Sequence, residues 1–316
     1  MTSENVNSHE NNPVRGIAWF LLHCLMFALI SVVTKILMNG GMHVFEIVFF
    51  QTLFGTIILL PRIIKRHSQG IRALSYKLQI SRALFWSLAT ICFFYATTVI
   101  PVGRAIAISF AVPLFTTILA VVFLKEKLHF QRITALVCGF IGMLIIIRPG
   151  VESFEFASFL VVVASFMWSM TDIMIKLVGK THHVFVNTFY FSFFGAICTL
   201  PMALAVWHTP SVTEMFWLIL LSIMFVANIA SITKAYELGD LTVMMPFVFA
   251  ELIFVAVLAY FIFDEVIYPS TVIGSAIIIF STSYIAYRER KSRSQLLTQE
   301  KLVKELARNL DENIKI

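Results

Sequence analysis

A carboxylate stands near the middle of a long apolar run. Glu251 interrupts LTVMMPFVFAELIFVAVLAYFIFD, residues 241–264, a stretch long enough to cross a bilayer. An ionised carboxylate at mid-membrane costs roughly 2.5–3.5 kcal/mol, so such a residue faces a bundle interior or a watery cavity. Two roles fit Glu251: a group that binds a proton or the cationic part of a solute, and a carboxyl hydrogen-bonded between helices. Asp172 and Lys176 are four apart, a spacing that puts them on one helical face where they can neutralise each other or serve a ligand. Asn228 is a further mid-span polar group, suited to binding or to linking helices. Lys35 and Lys176 lie close enough to span ends to snorkel, and Arg82 and Arg104 are placed at the membrane interfaces. Tyr95, Tyr190 and Trp168 offer stacking faces. With 31 phenylalanines in the chain, most rings must pack or face lipid. The candidate substrate-binding set is therefore Glu251, Asp172, Tyr95, Trp168, Tyr190, Asn228, Lys35 and Lys176.

Several chemistries find no support. There is no GxxxxGK[ST] run for ATP, and no HExxH or GxSxG motif for hydrolysis. His182 and His183 are adjacent, and neighbours on a helix do not share a face. Cys24, Cys92, Cys138 and Cys198 all fall in apolar runs without a CxxC spacing and read as small apolar fillers. No catalytic residue, metal or cofactor is expected, and an enzyme is disfavoured. Gly55 with Gly195, and Gly139 with Gly142, read as sites of close helix contact rather than phosphate cradles.

The elements that must position these groups are membrane spans. The 316-residue chain is 59% hydrophobic and 13% charged, where a soluble domain is nearer half apolar and a quarter charged. Mean hydropathy is +0.87. The rule of about twenty apolar residues per span gives ten helices, at 16–38, 44–64, 78–99, 102–124, 131–148, 157–177, 185–207, 214–236, 241–263 and 269–287. Pro61, Pro101, Pro149, Pro201, Pro210 and Pro269 fall at their ends, whereas Pro113 and Pro246 fall inside spans four and nine. The net charge of +6 does not indicate nucleic acid, because the basic residues occupy loops and the C-terminal tail. Arg62, Lys65, Arg66, Arg72 and Lys77, then Lys125, Lys127 and Arg132, then Lys180, and finally Arg288, Arg290, Lys291 and Arg293 all lie on one side if both termini are cytoplasmic. Residues 1–12 are polar without Lys or Arg, and the first apolar run is too long for a cleaved signal. Beyond Arg293, the spacing of Leu296, Val303, Leu306 and Leu310 is that of an amphipathic helix, solvated or in contact with the membrane or a second copy.

The chain repeats itself. EIVFFQTLFGTIILLP (46–61) lies over VNTFYFSFFGAICTLP (186–201) at an offset of 140, and spans four and nine align at 139. In the second register Phe110, Ala111, Phe115, Leu119, Ala120 and Glu126 match Phe249, Ala250, Phe254, Leu258, Ala259 and Glu265. A duplicated unit of five spans is inverted in its second copy, because five is odd. Inverted repeats flank midplane sites in many secondary transporters, and the halves rock to expose the site to each side in turn.

Ten spans, this repeat and the signature Pro113-LFTTILAVVFLK-Glu126 resemble the EamA family of the drug/metabolite transporter superfamily, over residues 16–290. AWFLL at 18–22, the run 109–132, GFIGMLIIIRP at 139–149 and AELIFVAVLAYFIFDE at 250–265 are similar to the S-adenosylmethionine uptake transporters of obligate intracellular bacteria. The resemblance implies an all-α integral membrane protein of ten transmembrane helices in two inverted five-helix EamA repeats, 16–149 and 150–290, between cytoplasmic tails 1–15 and 291–316. It implies an inner-membrane carrier without cofactor, possessing a small-molecule substrate, embedded in lipid, and with a homodimer as one assembly. Spans one, three, four, six, eight and nine would line the cavity. A carboxylate would meet the cationic end of S-adenosylmethionine, and Tyr95 or Trp168 would take its adenine or sulfonium. Export of amino acids or amphipathic metabolites is the other activity the family offers.

Overall fold

The computed structural model describes residues 12–67, 76–100, 105, 108–127, 129–147, 156–179, 184–263, 269, 272–284, 287, 288, 291 and 295. Regular structure among them is helical throughout. Helix α1 (Pro13–Asn39) begins where the Asn12 side chain accepts the Arg15 N–H at 3.2 Å, with Pro13 at the first position, where no amide partner is needed. Then come α2 (Val44–His67), α3 (Tyr76–Val99), α4 (Val112–Leu124), α5 (Phe130–Ile147), α6 (Phe156–Gly179) and α7 (Val184–Ala205). A capping box starts α8 (Val212–Leu238): Ser211 Oγ accepts the Glu214 N–H, and Glu214 Oε2 accepts the Ser211 N–H at 2.7 Å.

Among the described residues, seven helices are long and apolar enough to cross a membrane: Pro13–Asn39, Val44–Lys65, Tyr76–Ala96, Phe156–Val178, Val184–Ala205, Val212–Leu238 and Leu241–Ile262. Val112–Leu124, Phe130–Ile145 and Val272–Tyr284 (α11) are apolar but shorter. Pro61 and Pro201, expected at span ends, lie inside α2 and α7, which continue to His67 and Ala205. A proline inside a helix frees one carbonyl, a loss that membrane helices tolerate.

The prolines of the paired stretches mark real discontinuities. Pro113 is the second residue of α4. Pro246 stands in a 3₁₀ segment, Met245–Phe249, between the single turn α9 (Leu241–Met244) and α10 (Ala250–Phe263). The backbone at each break finds a donor on a neighbouring helix. Ser169 Oγ on α6 donates to the Val112 carbonyl at 3.1 Å, and Cys24 Sγ on α1 lies 3.6 Å from the Phe247 carbonyl. Irregular backbone at membrane depth is tolerated where protein supplies such partners.

Helix α1 packs along α8, α3 along α6, and α2 along α7. Helix α3 also contacts α7 as α2 contacts α8, and α4 contacts α6 as α1 contacts α10. Close approach is bought by glycine at two crossings. A Cβ on Gly55 would lie 3.4 Å from Ser192 Oγ, and one on Gly195 3.3 Å from Thr52 Cγ2, so α2 and α7 meet reciprocally. At Gly142 on α5 a Cβ would come within 2.9 Å of the Gly274 carbonyl oxygen, which is backbone and has little freedom to give. Gly142→Ala should therefore destabilise by about 1–3 kcal/mol, the usual cost of overpacking, while Gly55→Ala should stay within about 0.5 kcal/mol. Thermal unfolding of the detergent-solubilised variants measures the contrast, and equal midpoints would contradict it.

Candidate functional site

A chain of buried polar groups runs through the bundle, contributed by α1, α3, α4, α6, α8 and α10. Glu251 is 9% exposed and sits in the first turn of α10, just past the Pro246 break, where a helix N-terminus favours a negative charge. His23 on α1 faces it, Nε2 to Oε1 at 3.6 Å. Asn228 on α8 donates to the His23 carbonyl at 3.0 Å and so ties α8 to α1 at this level. Rings then continue the path: Phe20 lies 5.5 Å from the His23 ring and stacks on Tyr236 at 6.0 Å.

Tyr236 leads to the second carboxylate. Its hydroxyl donates to Asp172 Oδ1 at 3.1 Å, and Thr116 Oγ1 on α4 donates to Asp172 Oδ2 at 2.9 Å. Asp172 is thus held by helices α4 and α8 while belonging to α6. It lies within electrostatic reach of both Glu251 and Arg82. Arg82 on α3 is wholly buried, contrary to its expected place at the membrane interface. Its guanidinium lies 4.0 Å above the Phe191 ring, a cation–π contact. The packing of α3 against both α6 and α7 carries it inward. Arg104 lies outside the described residues. One turn before Arg82, Gln79 donates to Asn187 Oδ1 at 3.1 Å, and both are fully buried.

Of the expected binding residues, Glu251, Asp172 and Asn228 enter this cluster. Trp168 lies a turn before Asp172 on α6, with its ring 5.4 Å from Phe93. Tyr190 is half-buried beside Tyr76, 5.8 Å between ring centroids, away on α7. Tyr95 is 57% exposed on α3. Lys35 is exposed near the end of α1. Lys176 Nζ donates to the Gly239 carbonyl, at the C-terminal end of α8, where a cation is favoured. Sequence reasoning missed His23, Tyr236 and Thr116. The rule that singled out Glu251, a titratable group deep in an apolar run, applies equally to His23. No such signal marks Tyr236 or Thr116, because tyrosine and threonine are ordinary in spans.

A second cluster joins the two halves of the sequence. Glu126, just past α4, accepts the backbone N–H groups of Leu241 and Thr242 at 2.9 and 3.0 Å, capping α9. Arg132 donates to Thr242 Oγ1 at 2.7 Å and to Asp240 at 3.4 Å. Glu46 plays a comparable part elsewhere, accepting the N–H groups of His43 and His208.

The sequence model of the EamA-like transporter family matches residues 14–148 and again 155–287. The chain belongs to the EamA-like transporter family. Among its relatives, the S-adenosylmethionine uptake transporter of Rickettsia prowazekii (strain Madrid E) is 34% identical over 289 residues, 92% of this chain and 98% of that protein. The protein of the same name from Rickettsia felis is 34% identical with the same coverage. The riboflavin transporter of Vibrio cholerae is 26% identical over 294 residues, 91% of this chain and 98% of that protein. A chain of known crystal structure superposes with a TM-score of 0.72 at 13% identity, covering 88% of this chain and 98% of its own, which fixes the fold alone. In this EamA-family chain the two matched segments contribute together to the polar cluster: His23, Arg82 and Thr116 from the first, Asp172, Asn228, Tyr236 and Glu251 from the second.

Proposed function

We propose that the protein is a secondary transporter that takes up S-adenosylmethionine across the bacterial inner membrane by alternating access, in exchange for S-adenosylhomocysteine. The observation that carries this is the 34% identity to S-adenosylmethionine uptake transporters over 92% of the chain. The polar cluster suits such a solute: Glu251 and Asp172 supply carboxyl groups for its sulfonium and ammonium ends, and the stacked rings of Phe20 and Tyr236 lie beside Asp172. The protein acts as a carrier, not an enzyme.

The architecture we propose is ten spans in two inverted five-helix repeats, 16–149 and 150–290, with cytoplasmic tails 1–15 and 291–316. Reciprocal contacts support it. Phe110 and Phe249, equivalent in the repeat, stack on one another at 5.7 Å and 23°. Thr52 and Ser192 are equivalent, as are Gly55 and Gly195, and each glycine faces the other copy's hydroxyl residue. The pairing of α1 with α8 has its counterpart in α6 with α3. Such swaps are what a two-fold axis in the membrane plane produces. Spans four and nine therefore touch at the phenylalanine pair, with the polar cluster beside that contact.

In this topology the Glu126 cap and the Arg132 bonds close the cytoplasmic side between the halves. Glu126→Ala should lose about 0.5–2 kcal/mol of capping, which is roughly a two- to thirtyfold shift toward the inward-open state. Maleimide labelling of a Leu241→Cys reporter, whose backbone N–H keeps its place at Glu126, should accelerate by that factor in inside-out vesicles, and an unchanged rate would remove the gate assignment. The function itself is tested by counterflow in proteoliposomes preloaded with unlabelled S-adenosylmethionine. Transient accumulation of labelled S-adenosylmethionine is expected. A lack of accumulation in liposomes that do exchange riboflavin or an amino acid would overturn the substrate and keep the carrier.

A further inference from the structure

Arg82 is an anomaly among the buried groups. It is 0% exposed, and none of its three guanidinium nitrogens has a hydrogen-bond partner among the described residues. A buried guanidinium gives up its hydration, and native proteins ordinarily make this good with hydrogen bonds from its donors. Here the compensation is diffuse. The Phe191 face lies 4.0 Å from Cζ, and Asp172 supplies a field without a direct bond, its own oxygens being taken by Thr116 and Tyr236. The planar donor fork that makes arginine fit carboxylates is left free.

We infer that Arg82 is the carboxylate-binding residue of the transport site, and that the protein selects solutes with a free α-amino-acid end. The inference rests on the reading of the polar cluster as the transport site. Charge balance favours a zwitterion over other anions. Asp172 and Glu251 lie within electrostatic reach of each other, and Asp172 of Arg82. A phosphate entering there would add two negative charges beside two carboxylates. An α-amino acid brings its own ammonium for those carboxylates and its carboxylate for the guanidinium, so no net charge is added by that end. The side chain is fully covered in this structure, so the solute reaches Arg82 only when the halves open, and the bonds then formed replace nothing that Arg82 already has.

The test compares S-adenosylmethionine with its decarboxylated analogue as competitors of labelled S-adenosylmethionine in counterflow. The wild type should favour the carboxylate-bearing competitor about ten- to hundredfold, the worth of a charge-assisted hydrogen bond. Arg82→Gln should reduce affinity for S-adenosylmethionine by a similar factor, leave the decarboxylated analogue unchanged, and bring the ratio near one. Arg82→Lys should restore part of the preference. Equal competition in the wild type, or a parallel loss of both affinities in the variants, would overturn the inference. If Arg82→Gln does not accumulate as folded protein, the wild-type ratio and Arg82→Lys decide. If the wild type exchanges no S-adenosylmethionine, the substrate assignment has failed by itself. Thermal shifts with methionine and with 3-(methylthio)propylamine then decide: a shift with methionine alone upholds the role of Arg82, and equal shifts or none overturn it.

Discussion

Glu251→Gln should reduce uptake of S-adenosylmethionine at least about thirtyfold while the protein still inserts and folds normally. Truncating one member of a buried charge interaction costs roughly 2–5 kcal/mol of binding, and 1.4 kcal/mol is tenfold. The amide keeps the size of the carboxyl group and can still pair with His23 Nε2, now 3.6 Å from Oε1. What it loses is the capacity to carry a negative charge at the start of α10, where the 3₁₀ segment ends. Stability should hold or rise, because the carboxylate at this depth is itself a cost of roughly 2.5–3.5 kcal/mol when ionised. A residue that costs stability and supports uptake is what a binding site demands, whereas an interhelical tie demands the reverse. Uptake in vesicles and a thermal unfolding midpoint on the same preparation separate the two. Full uptake with a lowered midpoint would return Glu251 to a structural role.

Much of this was readable from residues alone, and the reason is the lipid. A bilayer makes hydropathy nearly proportional to position, so an interrupted apolar run such as 241–264 reports both a span and a misplaced carboxylate. The repeat was readable because Phe110 and Phe249, and Gly55 and Gly195, are constrained by the contacts that they make with each other's neighbourhoods. The length rule does not foresee that regular helix in the fourth expected span starts only at Val112, beside Pro113, after a turn at Phe110 and Ala111. Arg82 was misplaced for a related reason. It follows soon after the basic loop ahead of α3, which by linear distance is interface. Only the packing of α3 between α6 and α7 puts it in the interior. The spacing of Asp172 and Lys176 told which face they share, but not that Thr116 and Tyr236 would hold the aspartate, or that Lys176 would reach the end of α8. Those partners come from distant sequence, and pairing across helices leaves no periodic trace.

Asp172→Ala should be the most destabilising substitution in the cluster, by about 3–5 kcal/mol, because it leaves the buried Arg82 guanidinium without its compensating charge. The hydroxyls of Thr116 and Tyr236 would lose their acceptor as well. The penalty belongs to the orphaned charge rather than to the lost contacts, and a second substitution isolates it. Arg82→Met fills comparable volume over the Phe191 ring without a charge. Added to Asp172→Ala, it should recover most of the loss, since exchanging two buried charges that balance one another for apolar groups is often neutral. The double variant should then be folded and inactive, the single one poorly folded. Unfolding midpoints of the two single variants and the double variant complete the cycle. A single-variant cost below about 1 kcal/mol would show that Asp172 does not balance Arg82. In that case the Phe191 face alone would support the guanidinium, and Asp172 would act only as the acceptor for Thr116 and Tyr236.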